Sequence, residues 1–115
     1  MIKIKGVDPK MIANNLTPFE PTHPGEILKD EIDYRGITQR ELASKIGISY
    51  TQLNEILNCK RPINTEVALM VEAALGLDPE ALINMQTRYN MQMARKDTTL
   101  SQKLEKIRSL CASLL

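Results

Sequence analysis

The sequence predicts an all-α protein, and three observations carry that prediction. Apolar residues recur at helical spacing in six successive segments. Start and stop signals frame them: Thr, Ser, Asn or Asp at the front, and Gly behind three of them. Aromatics make up only 3% of the chain, so Leu, Ile, Met and Ala must fill the core, which suits packed helices better than a β-sandwich.

The first predicted helix opens with Thr22 as cap and Pro24 near its first position, where a missing N–H costs nothing. Its stripe is Ile27, Leu28 and Ile32, and Gly36 stops it. The second starts at Thr38, whose pairing with Glu41 reads as a capping box. Leu42, Ala43 and Ile46 face inward, and Gly47 ends it. Ser49 opens the third, with Gln52 completing a second box and Leu53, Ile56 and Leu57 as the buried face. Asn64 or Thr65 caps the fourth, which buries Val67, Ala68, Val71, Ala74 and Leu75 and stops at Gly76. Asp78, followed by Pro79, caps a fifth running to about Lys96. Its Met85, Met91 and Met93 read as core, with an adaptable partner surface as the other option.

A sixth helix is expected from a Thr99–Gln102 box. Leu100, Leu104, Ile107, Cys111 and Leu114 repeat there as a seam, widened by Leu110 and Leu115. Docking on the chain's own core, a dimer or partner contact, and a mobile tail all fit that pattern. Residues 1–21 carry no clean period. Their opening MIKIK reads as a frayed terminus or a short strand. The chain thus divides into an extension (1–21), a helical domain (22–96) and a C-terminal amphipathic helix (97–115).

Net charge is +1, which selects no partner, but its distribution is uneven. Residues 38–61 hold four Lys/Arg against two Asp/Glu, residues 62–87 four acids and no base, and residues 88–115 six bases against two acids. No apolar run spans a bilayer and no secretory signal opens the chain, so a cytoplasmic protein without a membrane partner is expected. Cys59 and Cys111 lie far apart and read as buried thiols. No metal-ligand spacing, phosphate loop or nucleophile–base pair occurs, so no enzyme, cofactor or metal is predicted. His23, the one histidine, reads as a packing or capping residue. Asp30, Glu31 and Asp33 sit beside Lys29 and Arg35 as a solvated face.

The informative stretch is TQRELASKIGISYTQLNEILNCKR, residues 38–61. Gly47-Ile48-Ser49 separates two short helices. Gly47 can take positive φ, Ile48 can plug the core from the turn, and Ala43 allows close approach. That is the helix-turn-helix unit, whose second helix fits a major groove about 12 Å wide. Exposed at its start are Tyr50, Thr51, Asn54 and Glu55, the candidate base readers. Thr51 can bond a base edge or touch a thymine methyl, Asn54 can bond adenine, and Tyr50 can bond a base or stack on sugar. Glu55 must accept from cytosine or hold a neighbouring cation. Thr38, Gln39, Arg40, Lys45, Asn58, Lys60 and Arg61 surround them as candidate phosphate contacts. Tight αα-corners also occur in domains that never meet nucleic acid, so spacing alone leaves a scaffold role open.

These residues resemble the phage-repressor (Xre-type) helix-turn-helix family. Residues 23–90 more narrowly resemble the HigA-type antitoxins, or plasmid maintenance antidote proteins. The resemblance rests on His23-Pro24-Gly25-Glu26, Gln39-Arg40-Glu41-Leu42-Ala43, Leu57-Asn58 with Lys60-Arg61, Ala74-Leu75-Gly76, and Asn84-x-Gln86 with Tyr89. It implies a five-helix phage-repressor-like domain with an additional C-terminal helix. It also implies a homodimer that binds an inverted-repeat operator in double-stranded DNA, represses its own operon, and neutralises a RelE-like toxin. By position it makes Gln39 a phosphate or backbone anchor and puts Tyr50, Thr51 and Glu55 at base-reading positions. The recognition helices of the dimer are expected about 34 Å apart.

Two features depart from the family. Cys59 stands at a usual Gly, so Asn58 or Cys59 must adopt the left-handed conformation. Ala81, Leu82, Ile83 and Met91 replace family aromatics. The alternatives are a stand-alone or phage-type repressor without a toxin, and a protein-interaction adaptor working through the basic C-terminal seam.

Overall fold

A computed structural model describes residues 22–115, and those residues are helical throughout their ordered elements. In chain order these are α1 (Pro24–Arg35), α2 (Gln39–Ile46), α3 (Tyr50–Leu57), α4 (Thr65–Leu75), α5 (Pro79–Lys96), α6 (Thr98–Leu110) and a short 3-10 turn, Ala112–Leu114. The MIKIK segment lies outside the described residues.

Local chemistry sets most boundaries. Thr38 Oγ1 accepts from Glu41 N at 3.1 Å, and Ser49 Oγ accepts from Gln52 N at 3.0 Å. The Glu41 carboxylate does not return to the cap; it pairs with Lys45 at 3.1 Å. Asn64, of the two candidates, caps α4 through Val67 N at 2.8 Å. Asp78 caps α5 through Glu80 N.

Two expected caps are corrected. His23, read as a packing or capping residue, caps α1 in place of Thr22: its Nδ1 accepts from Gly25 N at 2.8 Å. Asp97, not Thr99, caps α6, with its carboxylate accepting from Thr99 N and Leu100 N. Asp97 also ends α5, so the two helices meet at one residue.

The core draws on five helices: Leu28 and Ile32 from α1, Leu42 and Ala43 from α2, Leu53, Ile56 and Leu57 from α3, Val67, Ala68, Val71 and Leu75 from α4, and Leu82 from α5, joined by Ile63 from the loop. Fully burying one such aliphatic side chain contributes about 1.5–3 kcal/mol, against about 1 kcal/mol for a cap, so the shared core dominates the stability. Ile48 packs against this core from the α2–α3 turn, as expected.

Three expectations of burial are corrected, and one of the three options for the C-terminal seam is removed. Ile27 and Ala74 turn outward, being one helical step out of phase with Leu28 and Leu75. Met91 and Met93 are exposed, because the second half of α5 runs past the core. The α6 seam does not dock on the domain: no residue of α6 is buried, and Leu104, Ile107, Leu110 and Leu114 are all exposed. Cys59 and Cys111 are free thiols, half-buried rather than buried.

Candidate nucleic-acid interface

The site is built on α2, the turn 47–49 and α3. Gly47 closes α2 at φ 84°. Gly47 N and Ile48 N both donate to Ala43 O, which wraps the chain tightly before Ser49 starts α3. This turn presents the first half of α3 outward and buries Leu53, Ile56 and Leu57 behind it.

The predicted base readers divide into two pairs. Thr51 is exposed on the first turn of α3, and among the described residues no hydrogen bond ties its side chain. Tyr50, beside it, carries the Arg40 guanidinium 4.5 Å from its ring centroid. That cation–π contact holds a positive charge at the entrance to α3. Asn54 and Glu55 are half-buried and already engaged. Asn54 Nδ2 donates to Gln39 Oε1 at 2.9 Å, and Asn54 Oδ1 accepts from Asn58 Nδ2 at 3.2 Å. Glu55 takes the second role foreseen for it and holds Arg61, with 2.7 Å between Oε1 and Nη2.

The predicted phosphate contacts lie on α2 and on the loop after α3, and Lys45 among them is paired with Glu41 beside α4. Arg40, Lys45, Lys60 and Arg61 are all exposed. Gln39 opens α2, and its Oε1 is occupied by Asn54, so its Nε2 is the end left to donate. Thr38 Oγ1 and Asn58 Nδ2 are both used in local bonds. Cys59 takes the left-handed conformation at φ 63°, resolving the choice between Asn58 and Cys59. The loop then turns so that Lys60 N donates to Glu55 O.

Three supports stand behind the site, of which only His23 was expected to pack or cap, without its partners. His23 is 1% exposed and packs edge-on against Tyr89 with ring centroids 4.8 Å apart. It also hydrogen-bonds the Arg61 backbone, which ties the start of α1 to the loop after α3. Burial drives its pKa below the ordinary 6.5; the Glu26 charge and the Arg61 bond oppose that shift without cancelling it. Gly25 is required because a Cβ there would lie 1.9 Å from Ile56 O. The buried Gln86 accepts from Ile63 N at 2.9 Å and donates to Asn90 Oδ1, pinning the other end of the loop to α5. His23, Gly25, Gln86 and Tyr89 were visible as motif residues, but their partners lie 23 or more positions away in several cases, beyond any local pattern.

Such a corner, with a cation-rimmed face on its second helix, defines a helix-turn-helix protein, and a helix-turn-helix family model (HTH_3) matches residues 28–82. Virulence-associated protein I of Dichelobacter nodosus is 37% identical over 76 residues, 65% of this chain and 70% of that protein. An addiction module antidote protein of the HigA family from Coxiella burnetii superposes with a TM-score of 0.66 at 34% identity, over 76% of this chain and 95% of that one. The Pseudomonas aeruginosa antitoxin HigA, solved with the higBA promoter, superposes at 0.66 with 26% identity, over 76% and 94%. This chain belongs to the HigA-type antitoxins, or plasmid maintenance antidote proteins, of the Xre helix-turn-helix family.

Proposed function

We propose that this protein is a sequence-specific DNA-binding repressor that acts as a dimer on an inverted repeat. We further propose that it is the antitoxin of a type II pair, neutralising a RelE-like toxin. The observation that carries the DNA half is the outward face of α3, where Thr51 is exposed, Arg40 lies over the Tyr50 ring and Arg61 pairs with Glu55. The P. aeruginosa antitoxin solved with the higBA promoter supports DNA as the partner of this fold.

Roles follow from what each side chain has left to offer. Thr51 and Tyr50 read base edges. Gln39, oriented by Asn54, donates its Nε2 to a phosphate oxygen. Arg40, Lys45 and Lys60 neutralise phosphates. Arg61 shares its charge with Glu55, so Glu55 can approach DNA without an uncompensated negative charge. Asn54 and Asn58 act chiefly by fixing Gln39 and the end of α3.

The test is a reporter fused to the DNA upstream of this gene. The wild-type chain should repress it. Thr51→Ala should relieve repression while leaving helix content unchanged, at a cost of about 1–3 kcal/mol in discrimination. Repression that survives both Thr51→Ala and Gln39→Ala would reject the reading. The toxin half is tested separately, by asking whether this chain binds and neutralises the product of an adjacent small toxin gene.

A further inference from the structure

Two features of the molecule are unused by the DNA-binding face, and they are complementary. One is α6. Its exposed apolar residues Leu104, Ile107 and Leu110 share one side; Leu110 is 76% exposed, and Leu114, in the 3-10 turn that follows, is 79% exposed. Helical spacing places Lys106 at one edge of that side, Lys103 just inside the same edge, and Arg108 at the other edge. The other is a groove of about 690 Å³ between α4 and the start of α5. Leu69, Leu77 and Ile83 give it an apolar lining, and Glu72, Asp78 and Glu80 give it an acidic rim. Leu69 is 52% exposed.

We propose that the basic, amphipathic α6 of one chain seats in the acidic-rimmed groove of a second copy, and that the exchange is reciprocal. Charge selects this occupant. Residues 62–87, which include the groove lining, carry four acids and no base, whereas α6 carries Lys103, Lys106 and Arg108 against Glu105 alone, which pairs with Arg108 at 2.9 Å. Among the described residues, Lys103 and Lys106 form no ion pair, and neither do Glu72 and Glu80. Pairing α6 with α6 would instead set like charges along both edges of the contact. A reciprocal exchange is two-fold symmetric, buries both apolar faces, and pairs both sets of charges. Within the chain α6 packs chiefly against α5, and that contact buries none of its residues.

This specifies the surface of the dimer proposed above but is measured without DNA, so its failure and that of the repressor reading are distinguishable. The experiment uses the full chain and two variants in sedimentation equilibrium. One reverses the groove (Glu72→Lys with Glu80→Lys). The other reverses the helix (Lys103→Glu with Lys106→Glu and Arg108→Glu). All five side chains are exposed, and circular dichroism checks that each variant remains helical. The wild-type chain should dimerise. Each variant alone should dimerise at least about tenfold more weakly, since like charges then face each other. An equimolar mixture should recover dimers near wild-type strength, because each helix again meets a groove of opposite sign. A monomeric wild type, a groove variant that dimerises as well as wild type, or a mixture that stays monomeric would each overturn the proposal.

Discussion

Asn54 Nδ2 donates to Gln39 Oε1 at 2.9 Å, joining the recognition helix to the first residue of the helix before it. The bond spans the corner and sets which end of the Gln39 amide faces outward. Asn54→Ala is therefore expected to weaken DNA binding through Gln39, and to lower stability by about 1 kcal/mol for the lost hydrogen bond. Gln39→Ala should weaken binding to native and unrelated DNA alike, because phosphate contacts carry no sequence information. Fluorescence anisotropy on the two DNAs checks both. An Asn54→Ala chain that binds like wild type would show that Gln39 needs no such orientation.

Lys60 gives a different signature. Lys60→Ala should lower affinity uniformly across sequences and reduce the slope of log K against log salt by about 1, the release of roughly one counterion. Affinities measured across a salt series give the slope directly.

Stability should depend on pH through His23. Burial lowers its folded-state pKa below 6.5, so the unfolded chain takes up the proton more readily. The contribution is fully present above pH 6.5 and is lost as pH falls below it, until the folded-state pKa is passed. Protonation removes the Nδ1 acceptor that caps α1 and charges a buried ring. Urea midpoints from pH 8 to pH 5 should fall for the wild type. They should flatten for His23→Asn, which keeps a capping oxygen without a titrating ring.

Cys59 occupies a left-handed position that favours glycine, at φ 63°. Cys59→Gly should raise stability by about 0.5–1 kcal/mol, since relief of the backbone penalty exceeds the entropy that glycine adds to the unfolded chain. Burial, with the Glu26 carboxylate nearby, raises the thiol pKa, so wild-type Cys59 should also alkylate slowly at neutral pH. Thermal melts and iodoacetamide labelling test the two statements.

Gly25→Ala should be severe. Its Cβ would meet the Ile56 carbonyl at 1.9 Å, and a backbone atom cannot swing aside as a side chain can. A loss of about 3 kcal/mol, the upper end for overpacking, is expected in urea melts. Because the strain falls on α3, DNA binding should drop with it.

Much of this was legible where the physics is local. The caps at Thr38, Ser49 and Asp78 and the stops at Gly36, Gly47 and Gly76 act within four residues, and sequence spacing reveals them. At the start of α1 the sequence offered both Thr22 as cap and His23 as a packing or capping residue; the buried imidazole takes the cap, its Nδ1 doing the work of a hydroxyl. Asp97 was hidden by serving two helices at once. The α6 stripe could not reveal what covers it, since an amphipathic helix reads the same docked or open. Of the candidate site, the outward residues of α3 were readable from helical phase. The engagement of Asn54 by Gln39 and of Glu55 by Arg61 was not, because it depends on the angle between helices and the path of a loop.

The most direct test of the repressor reading is binding of the pure protein to the DNA upstream of its own gene and to a scrambled sequence, across a salt series. Binding to the native DNA about 10³-fold or more tighter, with a steep salt slope, is the predicted result. Equal and weak binding to both would contradict it and leave the helix-turn-helix as scaffold.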